Sequence, residues 1–233
     1  MLKVFVILIF IYNALFASVA TFSEVNGDVD VIRKVFNPIT KILKDTKVEK
    51  QILKAYKGFE IEKYDVIKVS KDASAKIIFS DKTRVMLGKG SVLDIEEYQF
   101  DEKEGGDASL DFKSGMFNFI TGKIGKIAPE RFKIKTKTAT IGIRGTEAGC
   151  VEKKNSSVCY CSYGGINTST SMGNVDVPKG MKTTIKPKTP PKPAVKYIDL
   201  EGYAFGLLKE QIELRQQYAK HPHRIIWEIK QRH

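Results

Sequence analysis

The side chains with the most chemistry to offer are three cysteines and three histidines, and their spacing limits what they can do. Cys150, Cys159 and Cys161 fall within one short stretch. Thiols so placed can form a disulfide, hold a soft metal or act as nucleophiles. Glu152-Lys153-Lys154-Asn155-Ser156 reads as a turn between two strand-like runs, so a hairpin would set Cys150 opposite Cys159 or Cys161. Side chains alternate along a strand, which puts Cys159 and Cys161 on one face and leaves one thiol over. Cys-x-Cys with no neighbouring His and no second cysteine pair is a poor zinc site. The expectation is one structural disulfide. His221, His223 and His233 all lie near the C-terminal end, so no imidazole base stands near the earlier Ser and Cys residues. Nucleophilic catalysis of the Ser–His or Cys–His kind is therefore not expected. His221-x-His223 offers two ligands, too few for a metal site. Glu96, Glu97 and the acidic residues of 101–104 read as a solvated charged loop rather than a calcium site. No nucleophile elbow, Walker loop or HExxH is present. The chain is expected to be no enzyme and to use no metal or cofactor.

The elements that position these residues have period two. Val29 and Val31, then Val66, Ile67 and Val69, then Ala73, Ala75, Ile77 and Phe79, alternate with polar residues. Val85 and Leu87, Leu93 and Ile95, Phe117 and Phe119, and Phe132 and Ile134 continue the pattern, with Gly, Asp, Asn and Ser between the runs. Such runs argue an all-β domain. Lys133, Lys135 and Lys137 read as the wet face of one strand. Residues 37–55, with Ile39, Leu43, Ile52 and Leu53 among many lysines, read as a helical or loop insertion. Four prolines in 187–193 mark a stiff linker over 187–198. After it, Leu200, Ala204, Leu207, Gln211, Leu214 and Tyr218 recur at helical steps. Residues 199–233 are therefore expected to form an α-helical tail, with Tyr203, Phe205, Leu207, Leu214 and Tyr218 as the candidate partner-contact surface.

At the other end, Lys3 precedes an unbroken apolar run over 4–11, and Ser18-Val19-Ala20 puts small residues at the −3 and −1 positions of a cut before Thr21. This is the pattern of a cleaved export signal over 1–20, with the cut between Ala20 and Thr21. No later stretch is apolar enough to span a membrane. The formal net charge is +12. Residues 178–233 hold nine Lys and three Arg against five acids, so much of the excess lies beyond the β body. An exported chain without an aromatic–basic motif is not expected to bind nucleic acid.

The most specific run is Thr138-Ala139-Thr140-Ile141-Gly142-Ile143-Arg144-Gly145-Thr146. Ile141 and Ile143 should share one strand face. Gly142 and Gly145 leave room for close backbone approach or a tight bend. Arg144 should face the other side or be buried with a partner. A structural clamp on nearby carbonyls is the favoured reading, and contact with a ligand carboxylate is the other. The run resembles the FecR domain family, as do Gly27-Asp28-Val29, Gly58 through Ile61 with Asp65-Val66-Ile67, Ala75 through Leu87, Lys113 through Met116, and Val177 through Thr184, in the same order. The resemblance covers roughly residues 22–185. It implies a twisted, solenoid-like or sandwich-like β domain, here 21–186, working in the periplasm of a Gram-negative envelope. In the best-known members it implies relay from an outer-membrane receptor to a cytoplasmic sigma factor. Those members place a membrane-spanning helix before the domain, where this chain has a cleavable signal, so sigma-factor control is not carried over. The expected role is protein–protein recognition in envelope sensing or scaffolding, with cell-wall or acidic glycan as the other partner class.

Overall fold

The structure, a computed structural model, describes residues 18–35 and 49–196. The alternating runs form β1 (Ser18–Asn26), β2 (Val29–Val35), β3 (Glu49–Lys54), β4 (Glu60–Glu62), β5 (Val66–Val69), β6 (Ser74–Phe79), β7 (Arg84–Leu87), β8 (Val92–Asp101) and β9 (Gly105–Ile120). A one-turn helix, α1 (Ile124–Ile127), and a 3-10 turn (Pro129–Arg131) lead into β10 (Phe132–Thr136) and β11 (Thr140–Lys153). Then come β12 (Ser156–Thr170), β13 (Gly173–Pro178), β14 (Met181–Ile185) and β15 (Val195–Lys196).

All 15 strands join one mixed sheet. Three long strands divide it into two rows, because each changes neighbours midway. Residues 105–114 of β9 pair with β8 and β10, whereas residues 115–120 pair with β7 and β11. Strand β11 leaves β10 for β9, and β12 leaves β14 for β13. One row therefore runs β3-β2-β5-β8-β9-β10-β11-β12-β13, and the other β4-β1-β6-β7-β9-β11-β12-β14-β15. Phe79 of β6 stacks on Tyr98 of β8, with centroids 4.3 Å apart, which ties one row to the other. Phe112 and Phe117 stack on either side of Gly115, at the point where β9 changes row. These rings and Phe22, Phe119, Phe132, Ile67, Leu93 and Ile95 are fully buried in one core. Truncating a core Phe of this kind costs about 3–5 kcal/mol.

The all-β expectation holds, and several details differ. Parallel pairing of the kind that solenoid coils use is confined, among the described residues, to β9 with β10, and every other strand pair is antiparallel. The 37–55 insertion is not wholly helix or loop: β3 pairs with β2 along six residue pairs. Its lysines disguised it, since an edge strand exposes one side and tolerates charge there. The proline linker is not a free spacer. Thr183 Oγ1 donates to the Lys192 carbonyl at 2.6 Å, Lys192 N–H donates to the Thr184 carbonyl at 3.1 Å, and β15 pairs with β14. Strand β1 starts at Ser18, so the boundary between Ala20 and Thr21 falls inside it. The tail, with Tyr203, Phe205, Leu207, Leu214, Tyr218 and the histidines, lies outside the described residues, as does most of the leader.

Candidate functional site

The 141–146 run sits where β11 changes row. Ile141 and Ile143 are buried and Arg144 is exposed, so the strand alternates as its sequence implies. The alternation then breaks. Arg144 pairs with Gly165 and Glu147 with Tyr163, so two residues of β11, Gly145 and Thr146, oppose Gly164 alone. This is a β-bulge whose first residue is left-handed, with Gly145 at φ +55°. A Cβ on Gly164, itself at φ +75°, would lie 2.3 Å from the Gly145 carbonyl oxygen. The two strands touch backbone to backbone here, which only glycine permits.

Thr146 occupies the polar groups that the bulge frees. Its Oγ1 accepts from Arg144 N–H at 2.9 Å and donates to the Gly165 carbonyl at 2.7 Å. Its own N–H donates to Thr121 Oγ1 at 2.9 Å, and Thr121 N–H returns a bond to the Thr146 carbonyl at 3.0 Å. Beneath lies a buried carboxylate, Asp81, held by four donors: Thr83 N–H, Thr83 Oγ1, Tyr98 OH and Ile124 N–H. Burial, and then the Asp81 charge, push the Tyr98 hydroxyl well above the usual tyrosine range, so it stays a donor. A buried charge is stable only when its lone pairs are so used. Asp81 thereby pins residues 121–124 under the bulge.

The clamp at this corner is therefore Thr146, not Arg144. Among the described residues the Arg144 side chain makes no hydrogen bond or ion pair, although a guanidinium carries five donors. Three clefts open along the corner, and residues of the 141–146 run line each. Arg144 borders one of about 320 Å³ with Asp176 and Pro178, and another of about 290 Å³ with Gly142, Lys133 and Asn167. A Cβ on Gly142 would meet nothing closer than 4.0 Å, so this glycine serves the depth of the cleft rather than the packing. Gly145 and Thr146 border the third, of about 520 Å³, together with Lys82, Arg84, Lys123, Lys126 and Tyr163. Lys123 is paired with Glu102 at 2.7 Å. The side chains of Lys82, Arg84 and Lys126 are exposed and make no ion pair among the described residues. Tyr163 is 63% exposed, with the Lys179 ammonium 5.9 Å from its ring centroid.

The cysteines resolve as one bridge. Cys150 and Cys159 face each other across the β11–β12 hairpin and form a disulfide, with Cα atoms 4.1 Å apart, the narrow spacing of a non-hydrogen-bonded pair. Cys161 is buried, and its thiol donates to the Tyr163 carbonyl. Burial pushes that thiol up, which keeps it protonated and a poor nucleophile. In the acidic run of 96–104, Glu96 pairs with Lys135, Glu97 with Lys63 and Glu102 with Lys123, while Asp101 accepts from the Lys103 and Glu104 N–H groups. Among the described residues no three or more His, Cys, Asp or Glu side chains gather as a metal site. Ala20 and Thr21 lie in β1, far in sequence from the corner.

Sequence reasoning missed Tyr163, Arg84, Lys82 and Lys126. For Tyr163 a signal existed, since an aromatic residue followed by Gly164-Gly165 faces the Gly145 bend across the hairpin. For the three cations there was none, because their convergence depends on β7 and α1 meeting at the row change.

The FecR protein family model matches residues 65–167. No curated protein matches the chain. Two crystal structures of a candidate anti-sigma factor from Parabacteroides distasonis ATCC 8503 are similar, at 12% identity and a TM-score of 0.46. Each likeness covers 56% of this chain and 59% of the solved one. The matched family residues include the bulge, its glycines, Thr146 and Tyr163. Over residues 65–167, somewhat under half of its length, the chain is similar to the FecR protein family.

Proposed function

We propose that this chain is an exported, non-enzymatic recognition module that binds another envelope protein through the corner around residues 141–146. The observation that carries the reading is Arg144: an exposed guanidinium with no partner, fixed on a backbone that Thr146 clamps from behind. Arginine and tyrosine dominate the energetics of protein interfaces. Tyr163 adds an exposed aromatic ring to the same corner, and Lys82, Arg84 and Lys126 give it positive charge. A partner with an acidic face fits, because charge complementarity speeds encounter and fixes register. Periplasmic location is supported by the leader pattern of Lys3 and residues 4–11 and by the Cys150–Cys159 bridge, which persists in oxidising compartments. The test is a photo-crosslinking residue placed at Tyr163 in intact cells, with a second at Tyr56, which is exposed on the loop between β3 and β4. A discrete envelope protein should crosslink from position 163 and not from position 56. Equal capture from both positions, or none from 163, contradicts the reading.

A further inference from the structure

We infer that the export leader ends at Ala17, so that the mature chain begins at Ser18 and keeps the whole of β1. The inference rests on the export reading above and corrects its boundary. Small residues at Ser18 and Ala20 favour a cut before Thr21. The fold opposes that cut. Val19 and Ala20 are only 9% and 4% exposed and belong to the same buried core as Phe22 and Phe79. Ala20 pairs with Phe79 on one side and Ile61 on the other. The Val19 carbonyl accepts from Ser80 N–H at 2.9 Å, which anchors the β6–β7 turn. Ser18 Oγ donates to the Ala20 carbonyl at 3.0 Å.

Strand β4 depends most on these residues. Its register against β1 consists of Ser18 with Glu62, Ala20 with Ile61 and Thr21 with Glu60. Cutting after Ala20 leaves one of these three pairs and uncovers Ile61, which is fully buried. It would also put a charged amine on Thr21, where β1 runs between β4 and β6. Cutting after Ala17 puts the amine on Ser18 instead; both residues are exposed, so it is the β1–β4 pairing that separates the two cuts. Leu15-Phe16-Ala17 supplies the small residue at −1 that a signal peptidase needs, though Leu15 is larger than the ideal at −3. The peptidase adds water across the Ala17–Ser18 amide, leaving a carboxylate on Ala17 and an amine on Ser18. It acts on an extended chain, so both cuts are chemically open to it. Only the upstream cut yields a product that keeps all three residue pairs holding the edge strand β4 to β1.

N-terminal sequencing and intact mass of the full-length gene product, purified from the envelope of producing cells, test this. A chain starting at Ser18 is expected. A start at Thr21 overturns the inference and leaves export standing, whereas retention of Met1 overturns export and the inference together. In parallel, chains made to start at Ser18 and at Thr21 are melted side by side. The shorter is expected to melt roughly 5–10 °C lower, on the scale that a few kcal/mol shifts a domain of this size. Equal melting temperatures remove the structural ground for the upstream cut and count against it.

Discussion

Arg33 and Arg144 occupy two regions of the same sheet and are used in opposite ways. Arg33, on β2, has 19% of its side chain exposed and its donors committed. Nε and Nη2 reach both oxygens of Asp65, at 3.0 and 2.7 Å, Nη1 reaches Glu62 at 2.6 Å, and Nη2 also reaches the Glu60 carbonyl at 2.9 Å. Its guanidinium lies 5.6 Å from the Phe59 ring centroid. Burial pulls its pKa down, and the Asp65 bond with the surrounding carboxylates more than reverses this. Arg144 has the same five donors and spends none on the described protein. A structural arginine is recognised by saturation, whereas free donors on a fixed backbone are what the proposed recognition role of Arg144 requires. At Arg144 it is Thr146 that holds the backbone, while Asp81 holds the segment beneath it.

The contrast is broken most easily at Arg33. Replacing it by Ala leaves Asp65, 1% exposed, without its ion pair, and loss of one partner of a buried pair costs about 3–5 kcal/mol. Arg144→Ala should change stability by less than about 0.5 kcal/mol, as for other unpaired surface positions. Urea titration of the two variants checks both, and a large loss for Arg144→Ala would return it to the clamp role. Next in size is the bridge of the β11–β12 hairpin. Cys150→Ala with Cys159→Ala should cost about 2–3 kcal/mol for so short a loop, measured the same way. Smaller again is Thr146→Val, which removes the hydroxyl that accepts from Arg144 N–H and donates to the Gly165 carbonyl. It should cost about 1–3 kcal/mol, and a neutral result would mean that the bulge holds itself.

The smallest effect sharpens the picture of the second row. Burial raises the Glu152 pKa above its ordinary 4.5, so the folded chain holds that proton more tightly than the unfolded one. Stability from this group is full at pH below its ordinary value and is lost as pH rises through the raised one. Glu152→Gln should therefore raise the melting temperature slightly at neutral pH, with the gain shrinking to nothing as pH falls towards 4.5. A gain independent of pH would assign the effect to packing instead.

How much of this was legible in the sequence follows from where the information lies. Period-two runs marked most strands of the core, because Ile67, Ile77, Phe79, Leu93 and Ile95 are buried on one side of their strands only. The hairpin and its bridge were legible because a turn fixes register locally. Strand β3 was not, because Lys50 and Lys54 sit on an edge where no apolar alternation is required. The row changes were not legible either. They depend on Gly115, Gly145 and Gly164, each left-handed and each where a long strand turns, and a single glycine in a strand run reads equally as a bulge, a bend or a weak point. Between the two readings of Arg144, carbonyl clamp or ligand contact, the sequence alone has little to offer, because only the fold places Thr146 Oγ1 on the Gly165 carbonyl and leaves the Arg144 side chain exposed.

The most direct test of the recognition corner is the partner affinity of Arg144→Ala beside its melting temperature, using the envelope protein captured from position 163. An unchanged melting temperature with affinity lowered at least about tenfold, the loss of one interface arginine, is the expected result. Unchanged affinity at unchanged stability would contradict the claim that this corner is where the protein recognises its partner.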